Sequence, residues 1–124
     1  MALVAGRHSA PPTPTGTWRG TSLCVDRATD KACRDEQVVY RFGPSPTHPD
    51  SIAMAATKVI KGKEVPMGSI ELGYDATTSE WAMEFTTSLR GRWAFRFAGD
   101  QMTGTLVERP SRLIRRVAAR RSPP

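Results

Sequence analysis

Two short stretches of the sequence decide the fold: Glu80-Trp-Ala-Met-Glu-Phe85 and Arg92-Trp-Ala-Phe-Arg-Phe97. In both, large apolar side chains alternate strictly with charged or small ones, which is the pattern of a β-strand with one buried face. The few residues between them include a predicted turn at residues 88–90. The pair therefore predicts an antiparallel hairpin with an aromatic face and a charged face.

The same alternation continues along the chain on both sides of this hairpin, without a helical period. Further strands are predicted at residues 16–24, 36–42, 51–60, 69–74, 102–106 and 111–119, with residues 61–66 as a turn. The connections are too short for a crossover helix, so consecutive strands are expected to pair antiparallel. Closing such a sheet on itself buries the apolar face and removes both edges. We predict an all-β, antiparallel up-and-down barrel of about eight strands, with a two-sheet β-sandwich as the alternative.

The length of 124 residues suits a single domain with one core. Both ends are rich in proline and poor in apolar pattern, so the domain is predicted over residues 16–119, with a disordered tail at residues 120–124. Residues 1–15 are interpreted as a disordered segment or the remnant of a truncated leader. No apolar run approaches the ~20 residues that span a bilayer, so no membrane span is predicted.

The two cysteines, Cys24 and Cys33, lie nine positions apart. A zinc site needs about four nitrogen or sulfur ligands, and the only histidines are His8 and His48, in proline-rich surroundings. No metal site is therefore predicted. A disulfide that closes the loop between the first two strands is expected instead, with two unpaired buried thiols as the alternative. Such a bond indicates an oxidising compartment outside the cytoplasm.

The formal charge of +6 has a local excess near the C-terminus. Five arginines lie within ten residues there: Arg112, Arg115, Arg116, Arg120 and Arg121. Arginines in such a cluster contact phosphates in nucleic-acid-binding proteins, but they also form the solvated outer face of a strand. Acidic residues elsewhere interrupt any continuous basic stripe, and no nucleic-acid-binding motif accompanies the cluster. We therefore expect no specific nucleic-acid partner.

The stretch Gly16-Thr17-Trp18 on the first strand, followed by a meander and a late arginine, resembles the lipocalin-like (calycin) superfamily. The resemblance implies a barrel in which Trp18 closes one end and an arginine from the last strand packs across its ring. Arg115 or Arg116 is the candidate, because adjacent residues of a strand face opposite ways and only one can reach inward.

Two narrower resemblances follow. Gly16-Thr-Trp-Arg-Gly20 is similar to the start of the nitrobindin haem proteins, but these ligate iron through a late histidine, and no histidine follows His48. Haem is therefore not expected, nor is any other cofactor. The pattern of Cys24, Cys33 and the later segment Gly99–Leu106 resembles small secreted bacterial proteins of a single domain. That resemblance implies a secreted or periplasmic location in a bacterium.

Catalytic constellations are missing from the sequence of the predicted domain. A Ser-His-Asp or Cys-His arrangement is unavailable, because the domain contains a single histidine in a proline-rich loop. The carboxylate pairs Asp35/Glu36 and Glu80/Glu84 are the remaining acid–base candidates, and Glu80 and Glu84 lie on the wet face of the hairpin. We therefore predict that the protein is not an enzyme.

A cavity for a small apolar ligand is the main functional prediction. Its walls are predicted to be Trp18, Tyr40, Met54, Leu72, Trp81, Phe85, Trp93, Phe95 and Arg115. An eight-stranded barrel is just wide enough either for side chains to fill it or for one small ligand, so a packed core without ligand is an alternative. The other alternative is a protein-interaction module like the periplasmic protease inhibitors of this barrel class, with residues 1–15 as the inserted segment.

Overall fold

Eight β-strands form within residues 13–86 and 90–123, the part of the chain that the computed structural model describes. The strands are β1 (Gly16–Cys24), β2 (Glu36–Pro44), β3 (Ser51–Ile60), β4 (Lys63–Asp75), β5 (Glu80–Thr86), β6 (Arg90–Ala98), β7 (Gln101–Glu108) and β8 (Arg112–Arg121). Most of the predicted N-terminal segment and the predicted turn residues 88 and 89 lie outside the described residues.

The strands form one closed, antiparallel, up-and-down barrel. Each strand pairs with the next one in the sequence, and β8 returns to pair with β1 from Trp18↔Arg121 to Cys24↔Arg115. The predicted barrel is thus confirmed in preference to the sandwich. Within the described residues, no helix is long and apolar enough to cross a membrane.

The predicted hairpin is β5–β6. Trp81 lies opposite Phe95 and Met83 opposite Trp93, so the aromatic side chains share one face. On the other face Arg92 lies opposite Glu84 and forms ion pairs with Glu84 and with Asp75 and Glu80, the strand residues on either side of the neighbouring turn. The period-two alternation therefore predicted the local structure of this hairpin correctly.

The predicted turn at residues 61–66 is wrong. Only Lys61 and Gly62 form the turn, both with positive φ (52° and 81°), as in the two-residue turns that suit the twist of a hairpin. Strand β4 already begins at Lys63, and a bulge in the β3–β4 pairing, between Ala56 and Thr57, interrupts the alternation that would have revealed it.

Pairing between β4 and β5 is short. Among the described residues it comprises three pairs, Gly73↔Ala82, Tyr74↔Trp81 and Asp75↔Glu80. The β7 strand, by comparison, pairs with β6 at eight positions. The part of β4 before Gly73 therefore has no described strand partner on its β5 side, and the barrel wall has a narrow seam there.

The last strand continues through Arg121, two residues beyond the predicted end of the domain at Ala119. Arg120 and Arg121, predicted to belong to a tail, pair with Arg19 and Trp18 of β1. Pairing across the closed barrel keeps these two polar residues in the strand.

The core takes side chains from the inner face of all eight strands. Its most deeply buried members are Trp18, Ile52, Leu72 and Phe95, each 0% exposed. The remaining buried members are Val38, Tyr40, Phe42, Met54, Trp81, Met102, Val117 and Ala119. The core therefore fills the middle of the barrel, and a ligand site inside the barrel must lie towards an end.

Candidate functional site

One end of the barrel is closed by Trp18. Its indole Nε1 donates a hydrogen bond to the carbonyl oxygen of Thr15 (3.1 Å), and its ring system makes a T-shaped contact with Phe97 at a centroid distance of 5.1 Å. The guanidinium of Arg121 lies 4.8 Å from the centre of the Trp18 ring. A cation over an indole face is held by the charge distribution of the ring.

The expected tryptophan–arginine pair therefore exists, but its arginine was predicted wrongly. Arg115 lies opposite Cys24, at the other end of β8, and Arg116 lies on the outer face. Arg121 is the residue opposite Trp18, and it also donates to the Thr15 carbonyl (3.2 Å). The partner depends on how β8 is aligned with β1 when the barrel closes, which the local sequence does not specify.

A column of aromatic rings fills the barrel above Trp18. Phe97 contacts Phe42 edge-on at 5.2 Å, and Phe42 contacts Phe95 at 6.2 Å. Phe95 in turn is stacked on Trp93 at 5.7 Å, which carries the column to the opposite end. The Phe95 ring can lie directly against strand β7 because the residue there is Gly104, on which a Cβ atom would be 2.5 Å from the ring.

The opposite end is open and contains a cavity of about 380 Å³. Ligand pockets in proteins range from about 300 to 1,000 Å³, so the cavity is of a size for one small molecule. Its lining residues are Ser22, Glu36, Tyr40, Met54, Ala56, Met67, Gly68, Ser69, Ile70, Trp93 and Arg115. The apolar members lie mainly on β3, β4 and β6, and the polar ones, apart from Ser69 of β4, lie on β1, β2 and β8.

Arg115 is the central polar side chain of this cavity. Its Nη1 donates to the carbonyl oxygen of Ser22 (3.2 Å) and to Ser22 Oγ (3.0 Å), and its Nη2 donates to the carbonyl oxygen of Arg34 (2.9 Å). The carboxylate of Glu36 lies 3.8 Å from Nη1. The guanidinium is thus fixed in place and its charge is balanced by a neighbouring carboxylate.

Tyr40 supplies a second polar group. The residue is 3% exposed, and burial, together with the negative charge of Glu36, raises the pKa of its hydroxyl to about 12. Near neutral pH the hydroxyl is therefore protonated and able to donate a hydrogen bond. The polar side of the cavity combines donors from Tyr40 and Arg115 with an acceptor on Glu36.

The loop between β1 and β2 is anchored beside the cavity. The predicted disulfide between Cys24 and Cys33 is confirmed, with an S–S distance of 2.06 Å. Arg112 of β8 also binds both carboxylate oxygens of Asp30 in this loop, at 2.7 and 3.1 Å. These bonds fix the end of the loop that presents the Arg34 carbonyl to Arg115.

The predicted wall residues are distributed over three levels of the barrel. Tyr40, Met54, Trp93 and Arg115 line the open cavity. Leu72 and Phe95 belong to the solid middle, together with Trp18 towards the closed end. Trp81 packs against Tyr74 at 5.3 Å and lines a separate hollow near Arg121. Phe85 is half-buried, and its ring occupies the space that a Cβ atom on Gly91 would need.

Several lining residues were not predicted, chiefly Ser22, Glu36 and the β4 segment from Met67 to Ile70. The alternation of β1 and β2 places Ser22 and Glu36 on the inner face, but the predicted walls, apart from Arg115, are apolar or aromatic. Met67 and Gly68 were missed because the strand was predicted to begin only at residue 69, and Ile70 was predicted on the alternating apolar face of that strand without being named as a wall residue. Ala56, a small residue on the inner face of β3, provides part of the space.

The arginine cluster has no single role. Arg112 and Arg121 form ion pairs with Asp30 and Asp100, and Arg115 lies in the cavity. Arg116 and Arg120 face outwards from β8, where Arg120 lies directly opposite Arg19 of β1. Alternation along the strand thus divides the cluster between the two faces of the barrel wall.

Comparison of the sequence with family models and with curated proteins finds no match. The function is therefore argued from the cavity, its charges and its surroundings.

Proposed function

We propose that the protein is a non-catalytic binding protein whose open cavity holds one small, mostly apolar molecule with an uncharged polar end group. The observation that carries the proposal is the division of the cavity between apolar side chains and a fixed polar cluster. A ligand oriented along this division buries its apolar part against Met54, Ile70 and Trp93 and its polar end near Arg115.

The charge of the polar cluster defines the end group. Glu36 lies beside Arg115 and balances its charge, so a carboxylate ligand would meet a like charge as well as the guanidinium. A hydroxyl or primary amide instead accepts from Tyr40 or Arg115 and donates to Glu36. An uncharged group of this kind forms hydrogen bonds with the donors and the acceptor of the cluster and adds no charge to the cavity.

A lipocalin-like kinship and an exported location are part of the proposal. The Trp18–Arg121 pair at the closed end supports the kinship, since it matches the arrangement that the resemblance implies. The disulfide supports a secreted or periplasmic protein, because such bonds persist in oxidising compartments. Recovery of the native protein from the cytosol with both thiols reduced would contradict the location.

The test is binding of four ligands that share one alkyl chain and differ in their end group: an alcohol, a primary amide, a carboxylate and an alkane. Native mass spectrometry and thermal shift should show that the alcohol and the amide bind most tightly. Ala56→Trp fills the cavity and should weaken binding by about tenfold or more, which corresponds to roughly 1.4 kcal/mol. Ala55→Trp, on the adjacent exposed position of β3, is the matched control and should bind normally.

A second variant tests the role of the charges. Glu36→Gln leaves the positive charge of Arg115 unbalanced, so the carboxylate ligand should gain affinity by about tenfold relative to the alcohol. If none of the four ligands binds, or if Ala56→Trp binds as well as the wild type, the cavity is not a ligand site. The packed-core alternative would then hold.

The protease-inhibitor alternative depends on residues 1–15, of which residues 1–12 lie outside the described residues. It therefore stays a prediction. Removal of residues 1–12, which keeps the Thr15 carbonyl that Trp18 and Arg121 bind, should abolish binding to a protease partner if this alternative is correct, and should leave small-molecule binding unchanged if the cavity is the functional site.

A further inference from the structure

The end of the β3–β4 hairpin, residues 58–67, forms one side of the open end, and we call it the lip. Exposed large apolar side chains are concentrated there: Ile60, Val65 and Met67 are 46%, 36% and 42% exposed. Within the described residues only two other large apolar side chains are so exposed, Leu23 and Val25, which flank Cys24 of the disulfide. The lip therefore presents apolar surface that the barrel itself does not bury.

These apolar side chains continue the wall of the cavity. Ala56 and Met67 line the cavity, and Lys58 pairs with Val38 of the core and with Val65 across the hairpin. Partners that lie directly opposite in an antiparallel pair share a face of the sheet. The inner face of the lip thus carries Val65 and Ile60 just beyond the cavity, at the edge of the opening.

Lysines are interleaved with this apolar surface. Lys58, Lys61 and Lys63 all belong to the lip, and no ion pair involves them within the described part of the chain. The one acidic residue of the lip, Glu64, binds Arg41 through two hydrogen bonds of 2.7 and 3.0 Å. The lip accordingly has three positive charges without a neutralising partner.

Exposed apolar side chains mixed with lysines are complementary to the surface of an anionic bilayer, where apolar groups enter the interface and cations attract the headgroups. A second copy of the chain could instead add a strand to the part of β4 that has no β5 partner among the described residues. Lysine and proline on an edge strand oppose such addition, and β4 carries Lys63 and Pro66 on this segment.

We propose that the lip docks the protein on an anionic phospholipid surface, with Ile60, Val65 and Met67 in the interface and the three lysines among the headgroups. Docking in this orientation turns the open end of the barrel towards the bilayer. This inference does not rest on the proposed ligand: the lip binds lipid whether or not the cavity is occupied.

The test is co-sedimentation of the full chain with phosphatidylserine–phosphatidylcholine vesicles and with pure phosphatidylcholine vesicles. Binding is expected to the mixed vesicles and to weaken with salt. The variant Lys58→Gln/Lys61→Asn/Lys63→Gln should lower the partition coefficient about a hundredfold, since each lysine near such a surface contributes about fivefold. Asparagine at position 61 keeps a residue that tolerates the positive φ of the turn.

The apolar part is tested separately. Ile60→Thr/Val65→Thr keeps β-branched residues in the strands and should lower partitioning about tenfold, because apolar groups are removed from the interface. Thermal unfolding of each variant should match that of the wild type, which separates lost docking from lost folding. Ala56→Trp, with the cavity filled, should bind vesicles as the wild type does.

A charge-matched control decides whether the lip or the overall positive charge is responsible. Arg19→Gln/Arg116→Gln/Arg120→Gln removes three charges from the outer face of β1 and β8 and should leave partitioning nearly unchanged. An equal loss in this control and in the lysine variant overturns the proposal. Equal binding to both kinds of vesicle, or no binding to either, also overturns it. So does a lipid-independent dimer in sedimentation equilibrium that Ile60→Thr/Val65→Thr dissociates, because the lip would then join two copies.

Discussion

At the scale of single residues, adjacent arginines of β8 lie on opposite faces of the barrel wall. Arg115 lies inside the cavity and Arg116 outside it, and farther along β8 Arg120 faces out while Arg121 covers Trp18. The sequence predicts this division into two faces, because residues of a strand alternate. It does not predict which inward arginine reaches Trp18, since that depends on the alignment of the first and last strands.

Tyr40 gives the protein a specific response to alkaline pH. A tyrosine in an unfolded chain has a pKa of about 10, whereas the folded protein raises the pKa of Tyr40 to about 12. Between these values the unfolded state loses the proton and the folded state keeps it. The contribution of Tyr40 to the free energy of unfolding is therefore fully present below pH ~10 and is lost as the pH rises towards ~12. The free energy of unfolding should fall by about 3 kcal/mol over this pH range as a result.

The measurement is urea unfolding across this pH range, with Tyr40→Phe as the variant in which the additional loss disappears. Because the chain has two tyrosines, tyrosinate absorbance in Tyr74→Phe reports Tyr40 alone. Titration of Tyr40 near pH 10 in that variant would contradict the proposed effect of burial and of Glu36.

At the scale of elements, alternation was a reliable guide where nothing interrupts it. It predicted β5 and β6 to within a few residues, but it failed at the start of β4, where a bulge and Pro66 break the period. Alternation also specifies whether a side chain faces in or out without giving its height along the barrel axis. For that reason Leu72 and Phe95 were predicted as cavity walls although they fill the solid middle.

Removal of the disulfide should lower the stability of the protein but leave the conformation of the loop between β1 and β2 unchanged. Cys24→Ala/Cys33→Ala releases a short closed loop in the unfolded chain, so the free energy of unfolding should fall by about 2–3 kcal/mol. The contacts of Arg112 with Asp30 and of Arg115 with the Arg34 carbonyl persist, so ligand affinity should change little. Chemical unfolding and the ligand assay measure the two effects. Adding Asp30→Asn to this variant should then weaken ligand binding, and no further loss would contradict the anchoring role of Arg112.

At the scale of the whole molecule, the seam between β4 and β5 is the weakest part of the barrel wall. It has three described residue pairs, compared with eight between β6 and β7. Local unfolding occurs most readily where only a few backbone hydrogen bonds have to break. The lip and part of the cavity wall lie on the β4 side of this seam.

Hydrogen–deuterium exchange should therefore be uneven around the barrel. Amides of β5 are expected to exchange faster than those of β6 and β7, because one side of β5 has few partners within the described residues. Mass spectrometry of peptides from β5 and β7 gives the comparison within one sample. Equal rates for the two strands would mean that the barrel opens only as a unit.

The aromatic column that joins Trp18 to Trp93 also gives the molecule distinct optical properties. Its rings lie 5–6 Å apart in fixed, mostly edge-on orientations, so their electronic transitions are coupled and near-ultraviolet circular dichroism should be intense. Of the three tryptophans, Trp93 alone lines the open cavity. Its emission therefore responds to what enters the cavity, while Trp18 and Trp81 report on the integrity of the opposite end, without any attached dye.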